Sequence, residues 1–263
     1  MGAKMISAER RENILKLLVE NNFSDIDTLA EKADVSPATI RRDLLELESN
    51  GHVERVHGGV IFRQYPGINH IPPLNQREMK FRKEKEDIGR KAASMVRDGE
   101  TIILDGGTTT YQVAKNLRDK HIQIITNSLL IANVFADFVN VELLLLGGIL
   151  YPKRGVFLGP FAEETMKQVN AQKCFIGTGG IVEKGITNTD ILTAKLERDI
   201  IKNSREVIVV ADHSKCGIKS TYFIEELSQI NKIVTDRKPA DSDLQKTLRG
   251  YGVEIILSSD SDG

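Results

Sequence analysis

"SPATIRRDLLELESNGHVERVHGGV", Ser36 to Val60, is the stretch that decides how the first part of the chain folds. Ser36 is a good helix N-cap, and Pro37 fits the first helical position, where its missing N–H costs nothing. At about 100° per residue, Ile40, Leu44 and Leu47 fall on one face. Asn50-Gly51 is a common helix stop. "HVERVHGGVIF" then reads as two short strands around Gly58-Gly59, a hairpin signature. Upstream, Ala8 to Glu20 has Ile14, Leu17 and Leu18 at helical spacing, with Ser7 as a cap. Asp25 to Ala33 reads as a second short helix. Three short helices and a hairpin outline a winged helix-turn-helix, with a generic small helical bundle as the alternative.

Arg42 points opposite Ile40, with Ala38 beside it and Thr39 and Arg41 on the flanks. Small and hydroxyl side chains at a helix start, followed by two arginines, suit the DNA major groove. Arg can pair bidentately with guanine, and Thr can meet a thymine methyl or a phosphate. Arg55 and His57 in the wing would meet phosphate. The alternative is a solvated face with charge pairs such as Arg42 with Glu46. Bulk charge does not decide the matter. The chain carries net charge -1; residues 1–62 hold eight basic and eleven acidic residues, and residues 63–91 hold eight and four. A DNA-binding surface must therefore come from placement.

The ungapped run Ser36–Val60, with its Ser-x-x-Thr-Ile-Arg-Arg-Asp and His-Gly-Gly, resembles the DNA-binding domain of the DeoR family of bacterial transcription regulators. The resemblance implies that Ser36, Thr39, Arg41 and Arg42 sit at double-stranded operator DNA. Regulators of this kind bind as symmetric oligomers, so a homodimer or homotetramer is expected.

"RQYPGINHIPPLNQ", residues 63–76, carries three prolines and reads as a linker between a DNA-binding domain at 1–62 and a larger domain at 77–263. Arg77 to Val96 reads as one long helix. Beyond it, short apolar runs alternate with helical segments at Thr101–Leu104, Ile122–Ile125, Val141–Leu146, Cys174–Ile176, Val207–Val210, Lys232–Val234 and Glu254–Leu257. That alternation predicts an α/β domain with a mostly parallel sheet. The first run opens into "DGGTTT", residues Asp105 to Thr110. Glycines there let backbone N–H groups approach an anion, and a helix N-terminus adds free donors. Thr108, Thr109 and Thr110 add hydroxyls, although a plain Thr-capped turn fits the same letters. Other polar loops fall at the same strand ends: Asn127, then Gly147-Gly148 with Lys153 and Arg154, then Thr178-Gly179, then Asp212 and Lys215. Parallel sheets bind ligands at that edge.

Lys80 to Pro239 resembles the sensor domain of the same family, whose fold is related to ribose-5-phosphate isomerase. The matched positions are Asp105 to Thr110, Asn127, Gly147-Gly148, Gly177 to Gly180 and Asp212 to Lys215. The resemblance implies a phosphorylated sugar effector that relieves repression of a sugar-metabolism operon. The rival is a sugar-phosphate isomerase, which needs a carboxylate base. The related isomerases carry Asp-Gly-Ala-Asp-Glu where this chain has "IGTGGI", with no acid until Glu183, so a binding role without catalysis is expected. A constitutive architectural DNA-binding protein would have no use for such a pocket.

No cofactor or metal is expected: His52, His57, His70, His121 and His213 are scattered, and Cys174 and Cys216 are far apart without metal spacing. No apolar run reaches the ~18 residues of a membrane span, and the first residues lack a signal-peptide core. The expectation is a cytoplasmic protein with free thiols.

Overall fold

The computed structural model describes residues 7–21, 23–49, 53–56, 58–62 and 74–259. The chain divides into two compact units, Met1–Pro72 and Pro73–Gly263.

The first unit contains α1 (Ser7–Asn21), β1 (Phe23–Ser24), α2 (Ile26–Lys32), α3 (Pro37–Ser49), β2 (Val53–Val56) and β3 (Gly59–Phe62). Ile14, Leu18, Leu29, Ile40, Leu44, Val53 and Val60 form its core. Asp25 starts α2 by accepting from the Thr28 N–H at 2.7 Å. β2 and β3 pair antiparallel across Gly58-Gly59, and β1 adds to the free edge of β3. β1 is only two residues long, too short to show a period in the sequence. Asn50 and Gly51, expected to end α3, lie outside the described residues.

The second unit begins with α4 (Leu74–Met79) and α5 (Arg82–Ala93), then β4 (Thr101–Leu104), α6 (Thr108–Lys115), β5 (Ile122–Thr126), α7 (Leu129–Phe135), β6 (Val141–Leu145), β7 (Ile149–Tyr151), β8 (Val156–Leu158) and α8 (Pro160–Met166). It continues with β9 (Ala171–Ile176), β10 (Gly180–Val182), β11 (Gly185–Asn188), α9 (Ile191–Lys202), β12 (Ser204–Val210), β13 (Tyr222–Glu225), β14 (Lys232–Thr235), α10 (Ser242–Gly250) and β15 (Glu254–Leu257). All seven apolar runs become strands of one sheet, in the order β15-β14-β12-β9-β4-β5-β6. Its pairings are parallel throughout. One face buries Ile88, Leu104, Val113 and Ile124; the other buries Ile103, Ile125, Ile176 and Val209. Covered faces explain why the runs are continuously apolar. The β7–β8 hairpin and the small sheet β10-β11-β13 were not legible as strands.

The helix expected over Arg77–Val96 is broken. Helix α4 ends at Met79, and Phe81 adopts left-handed φ 53, ψ 42 before α5 starts. Such a conformation costs a bulky residue about 1–3 kcal/mol. Two contacts offset it. The Phe81 ring packs edge-on to His213 with centroids 4.9 Å apart, and Lys85 Nζ donates to the carbonyls of Arg77 and Lys80 at the end of α4.

Candidate functional site

In the first unit, α3 turns Ile40, Asp43, Leu44 and Leu47 inward and leaves Arg41 and Arg42 exposed. Asp43 is buried against Arg10 of α1 at 2.6 Å, an ion pair that locks α3 to α1. Glu46 pairs with Arg11, so the Arg42–Glu46 pair of a solvated face does not form and Arg42 is left facing outward. Ser36 caps α3: its Oγ accepts from the Thr39 N–H at 3.2 Å and sits 2.9 Å from the Thr39 hydroxyl. Arg55 is exposed in the wing, and its backbone N–H donates to Glu48 at 3.1 Å, tying wing to helix. Arg41 and Arg55 line one open groove of about 660 Å³ with Asp25, Asp27 and Glu48. His57 lies outside the described residues. A winged helix with exposed arginines at its third helix defines a DNA-binding module.

In the second unit, the candidate residues gather at the carboxyl edge of the parallel sheet. Asp105 ends β4 and is 2% exposed. Burial pushes its carboxyl up to about 6; the backbone amides of Gly106 and Gly177 and the guanidiniums of Arg154 and Arg77 pull the other way. The two glycines that follow have different jobs. A Cβ on Gly106 would lie 2.1 Å from Val156 Cγ1, so this glycine is required by packing. A Cβ on Gly107 would meet only Thr110 Oγ1, at 3.2 Å. Gly107 is the N-cap of α6, extended and without a side-chain cap. The first N–H groups of α6 therefore face space a ligand can enter. Thr110 does not face it, because its hydroxyl donates back to the Gly107 carbonyl at 3.0 Å. Thr108 and Thr109 are buried and make no side-chain hydrogen bond among the described residues.

Asn127 ends β5. Its Nδ2 donates to the Phe157 carbonyl at 3.4 Å, while its Oδ1 is buried without a partner and stands 3.3 Å from where a Gly106 Cβ would be. Gly147 and Gly148 are exposed and turn the chain into the β7–β8 hairpin, with Gly148 at φ +129. The Thr178 hydroxyl is spent on the carbonyls of Gly180 and Thr187, at 2.9 Å each, and a Cβ on Gly179 would lie 2.7 Å from Ser220 Oγ. Those two residues build a turn. Asp212 caps the short turn His213–Lys215 by accepting from the Ser214 N–H at 3.1 Å.

Of the cations that surround these groups, sequence reasoning assigned Lys215 and placed Arg154 in a loop at the same edge, but did not assign Arg77, Lys80 or Lys85. Burial brings Lys85 down to about 8; Asp212 pulls it up, and Lys215, Arg77 and Lys80 push it lower. Lys215 is lowered by burial and by the same Lys80 and Arg77. Burial lowers Arg77 to about 10, Arg154 lowers it further and Asp105 opposes. Arg77 Nε is buried with no partner. Arg77, Lys80, Lys85 and Lys215 thus lie within reach of one another's charge, with Asp212 beside Lys85 and Lys215 and Asp105 beside Arg77, a constellation whose repulsion an anion would relieve. The signal for three of the four was present in the basic excess of residues 63–91, read there as a linker and one long helix. Arg154, from the β7–β8 hairpin, makes a 3.6 Å ion pair with Asp190 and donates to Thr193 Oγ1 at 3.3 Å. Glu197 of α9 is also buried here, with its carboxyl raised well above the usual range by burial and by the charge of Asp105. Glu197 had not been assigned to the site.

A DNA-binding winged helix joined to an α/β unit with an anion pocket defines a ligand-responsive DNA-binding protein. Residues 10–64 match the DeoR-like helix-turn-helix domain, and residues 80–237 match the DeoR C-terminal sensor domain. The HTH-type transcriptional repressor GlcR of Bacillus subtilis is 35% identical over 98% of this chain and 99% of its own length. The HTH-type transcriptional regulator GolR of Listeria innocua is 32% identical over 97% of this chain and its full length. A putative aga operon transcriptional repressor of Escherichia coli O157:H7 is 32% identical over 97% of this chain and 96% of its own. The chain belongs to the DeoR family of HTH-type transcriptional regulators. Among solved structures, ribose 5-phosphate isomerase A of Methanocaldococcus jannaschii superposes on 52% of this chain and 55% of its own at a TM-score of 0.38 and 17% identity. The translation initiation factor eIF-2B of Pyrococcus horikoshii superposes on 88% of each chain at 0.44 and 15%. The family is one of regulators, not enzymes, and the isomerase alternative is set aside. Among the described residues, no helix is long and apolar enough to cross a membrane.

Proposed function

We propose that this regulator represses a sugar-metabolism operon and leaves its operator when a phosphorylated sugar binds the second unit. The observation that carries the reading is the crowding of Arg77, Lys80, Lys85 and Lys215, with Arg77 within charge range of Asp105, two residues before the uncapped start of α6 at Gly107. A phosphate dianion neutralises that repulsion, and Gly107 leaves the backbone donors within its reach. Residues 1–62 would read DNA, with Arg41, Arg42, Thr39 and Ser36 at the groove and Arg55 and His57 at phosphate. Residues 63–76 would link that domain to the sensor at 77–263. Asp105 and Asn127 would meet sugar hydroxyls, and Asp212 would hold Lys215 and Lys85 in place. Arg77 belongs to α4, which begins at Leu74 and opens the second unit, so an anion that engages Arg77 acts on the segment leading to the DNA reader. The effector shifts DNA affinity only through unequal affinity for the two arrangements. A cytoplasmic homodimer or homotetramer suits two operator half-sites.

The test is calorimetric titration of the full chain with matched sugar and sugar-phosphate pairs. Binding is expected only for the phosphorylated member, and Gly107→Val, which places methyl groups in the cradle, should abolish it. Equal binding of both members, or unchanged binding in the variant, would contradict the reading.

A further inference from the structure

Three acceptors inside this pocket lack partners: Asp105 Oδ1, Asn127 Oδ1 and Glu197 Oε2, on side chains that are 2%, 1% and 1% exposed. A buried acceptor without a donor is costly, and native proteins hold few of them. Three at one place call for a common cause. Three of the protein's own side chains nearby already direct their donors elsewhere. Asn188 Nδ2 donates to Glu197 Oε1 at 2.7 Å, Asn127 Nδ2 donates to Phe157, and Arg154 is held by Asp190 and Thr193. A ligand hydroxyl can supply the missing donors.

We infer that Glu197 is a specificity-determining residue of the effector pocket, accepting a hydroxyl of the ligand alongside Asp105 and Asn127, so that the pocket selects polyhydroxylated phosphates over phosphorylated acids. The inference rests on the anion-pocket reading above. It adds which part of the ligand is read, and by what. A hydroxyl supplies the lacking O–H donor and carries no charge. A carboxylate supplies none, and it would set two more acceptor oxygens against the unpartnered oxygens of Asp105, Asn127 and Glu197. The orphan cation Arg77 Nε marks the phosphate end, and the three orphan oxygens mark the carbon-chain end. Glu197 comes from α9 rather than from a loop at the strand ends, which is why the glycine-rich motifs gave no hint of it.

Glu197→Gln is the informative change. Asn188 Nδ2 holds one oxygen, so the new amide must keep its oxygen there and turn its NH2 toward the pocket, donor against donor. The full chain is titrated with inorganic phosphate, glucose 6-phosphate, ribose 5-phosphate, glucitol 6-phosphate, 6-phosphogluconate and 3-phosphoglycerate. Wild type is expected to bind at least one of the three polyhydroxylated neutral-chain phosphates tenfold or more tighter than inorganic phosphate and than either acid. Glu197→Gln should lose at least tenfold for that ligand while its inorganic phosphate affinity stays within twofold. Asn188→Ser, which leaves the Glu197 side chain in place but unanchored, should lose selectivity in the same direction and guards against a folding defect in the first variant. Wild type binding the acids as tightly as the neutral-chain phosphates, or a folded Glu197→Gln with unchanged selectivity, would overturn the inference and leave the phosphate cradle standing. Failure of wild type to bind any phosphate at all would instead remove the pocket reading, and the inference with it.

Discussion

Replacing Asp105 with Asn should stabilise the second unit at alkaline pH while abolishing its response to ligand. The carboxyl is raised from 3.8 to about 6 in the folded chain, chiefly by burial. A native pKa above the unfolded value means the folded state holds the proton more tightly. Stability present below about pH 4 is therefore lost as pH rises through 6. A shift of this size corresponds to ~3 kcal/mol at about 1.36 kcal/mol per unit. Asn removes the ionisation, so it removes the loss. Against that, the amides of Gly106 and Gly177 trade a charged acceptor for a neutral one, at a cost of ~1 kcal/mol. Glu197 adds to the gain, because the charge of Asp105 is one cause of its raised pKa. The net expectation is a variant more stable than wild type by ~1–3 kcal/mol at pH 8, or roughly 2–10 °C in transition temperature for a unit of this size. The advantage should shrink steadily toward pH 4. Scanning calorimetry of both proteins from pH 4 to pH 8, with a sugar-phosphate titration at pH 8, measures each part. A wild type at least as stable as Asp105→Asn at pH 8, or a gap independent of pH, would refute the reasoning.

Arg42→Ala should weaken operator binding by ~1–3 kcal/mol if the side chain reads a base, or lower the salt slope by about one if it meets phosphate. A gel-shift titration at several salt concentrations checks this, with thermal unfolding unchanged because Arg42 is exposed. Gly106→Ala should destabilise the second unit by ~1–3 kcal/mol, since its Cβ lies 2.1 Å from Val156 Cγ1. Gly107→Ala, whose Cβ would meet only Thr110 Oγ1 at 3.2 Å, should cost clearly less; urea unfolding of the two variants separates packing from ligand access. Lys85→Met should weaken sugar-phosphate binding, and it should also loosen the α4–α5 junction, because Lys85 Nζ holds the carbonyls of Arg77 and Lys80. Hydrogen exchange at residues 77–81 reads the second effect.

The main sheet was legible because its central strands are buried on both faces and read as apolar runs, as Ile102-Ile103-Leu104 does. The winged helix was legible because Ser36, Pro37 and the Gly58-Gly59 turn punctuate it. The break at Lys80–Phe81 was not, since Phe and Lys carry no stop signal and the turn depends on His213 and Lys85, which meet it only in the fold. In the pocket, Asp105 and Asn127 stood out as polar residues at the ends of apolar runs. Arg77 and Glu197 did not, because each sits in a charged helix where ordinary surface residues look the same. Only burial distinguishes them. Gly106 was read as making room for an anion, whereas its neighbour Val156 is the closer reason for it.

The central claim, that one chain couples a sugar-phosphate pocket to a DNA reader, is tested most directly by fluorescence anisotropy of labelled DNA from its own promoter. Full-length protein bound to that DNA is titrated with a sugar and with the same sugar phosphorylated. The account predicts release by the phosphorylated form alone, and no release from Gly107→Val, which still binds the DNA. Release by both forms, or an undiminished response in Gly107→Val, would contradict it.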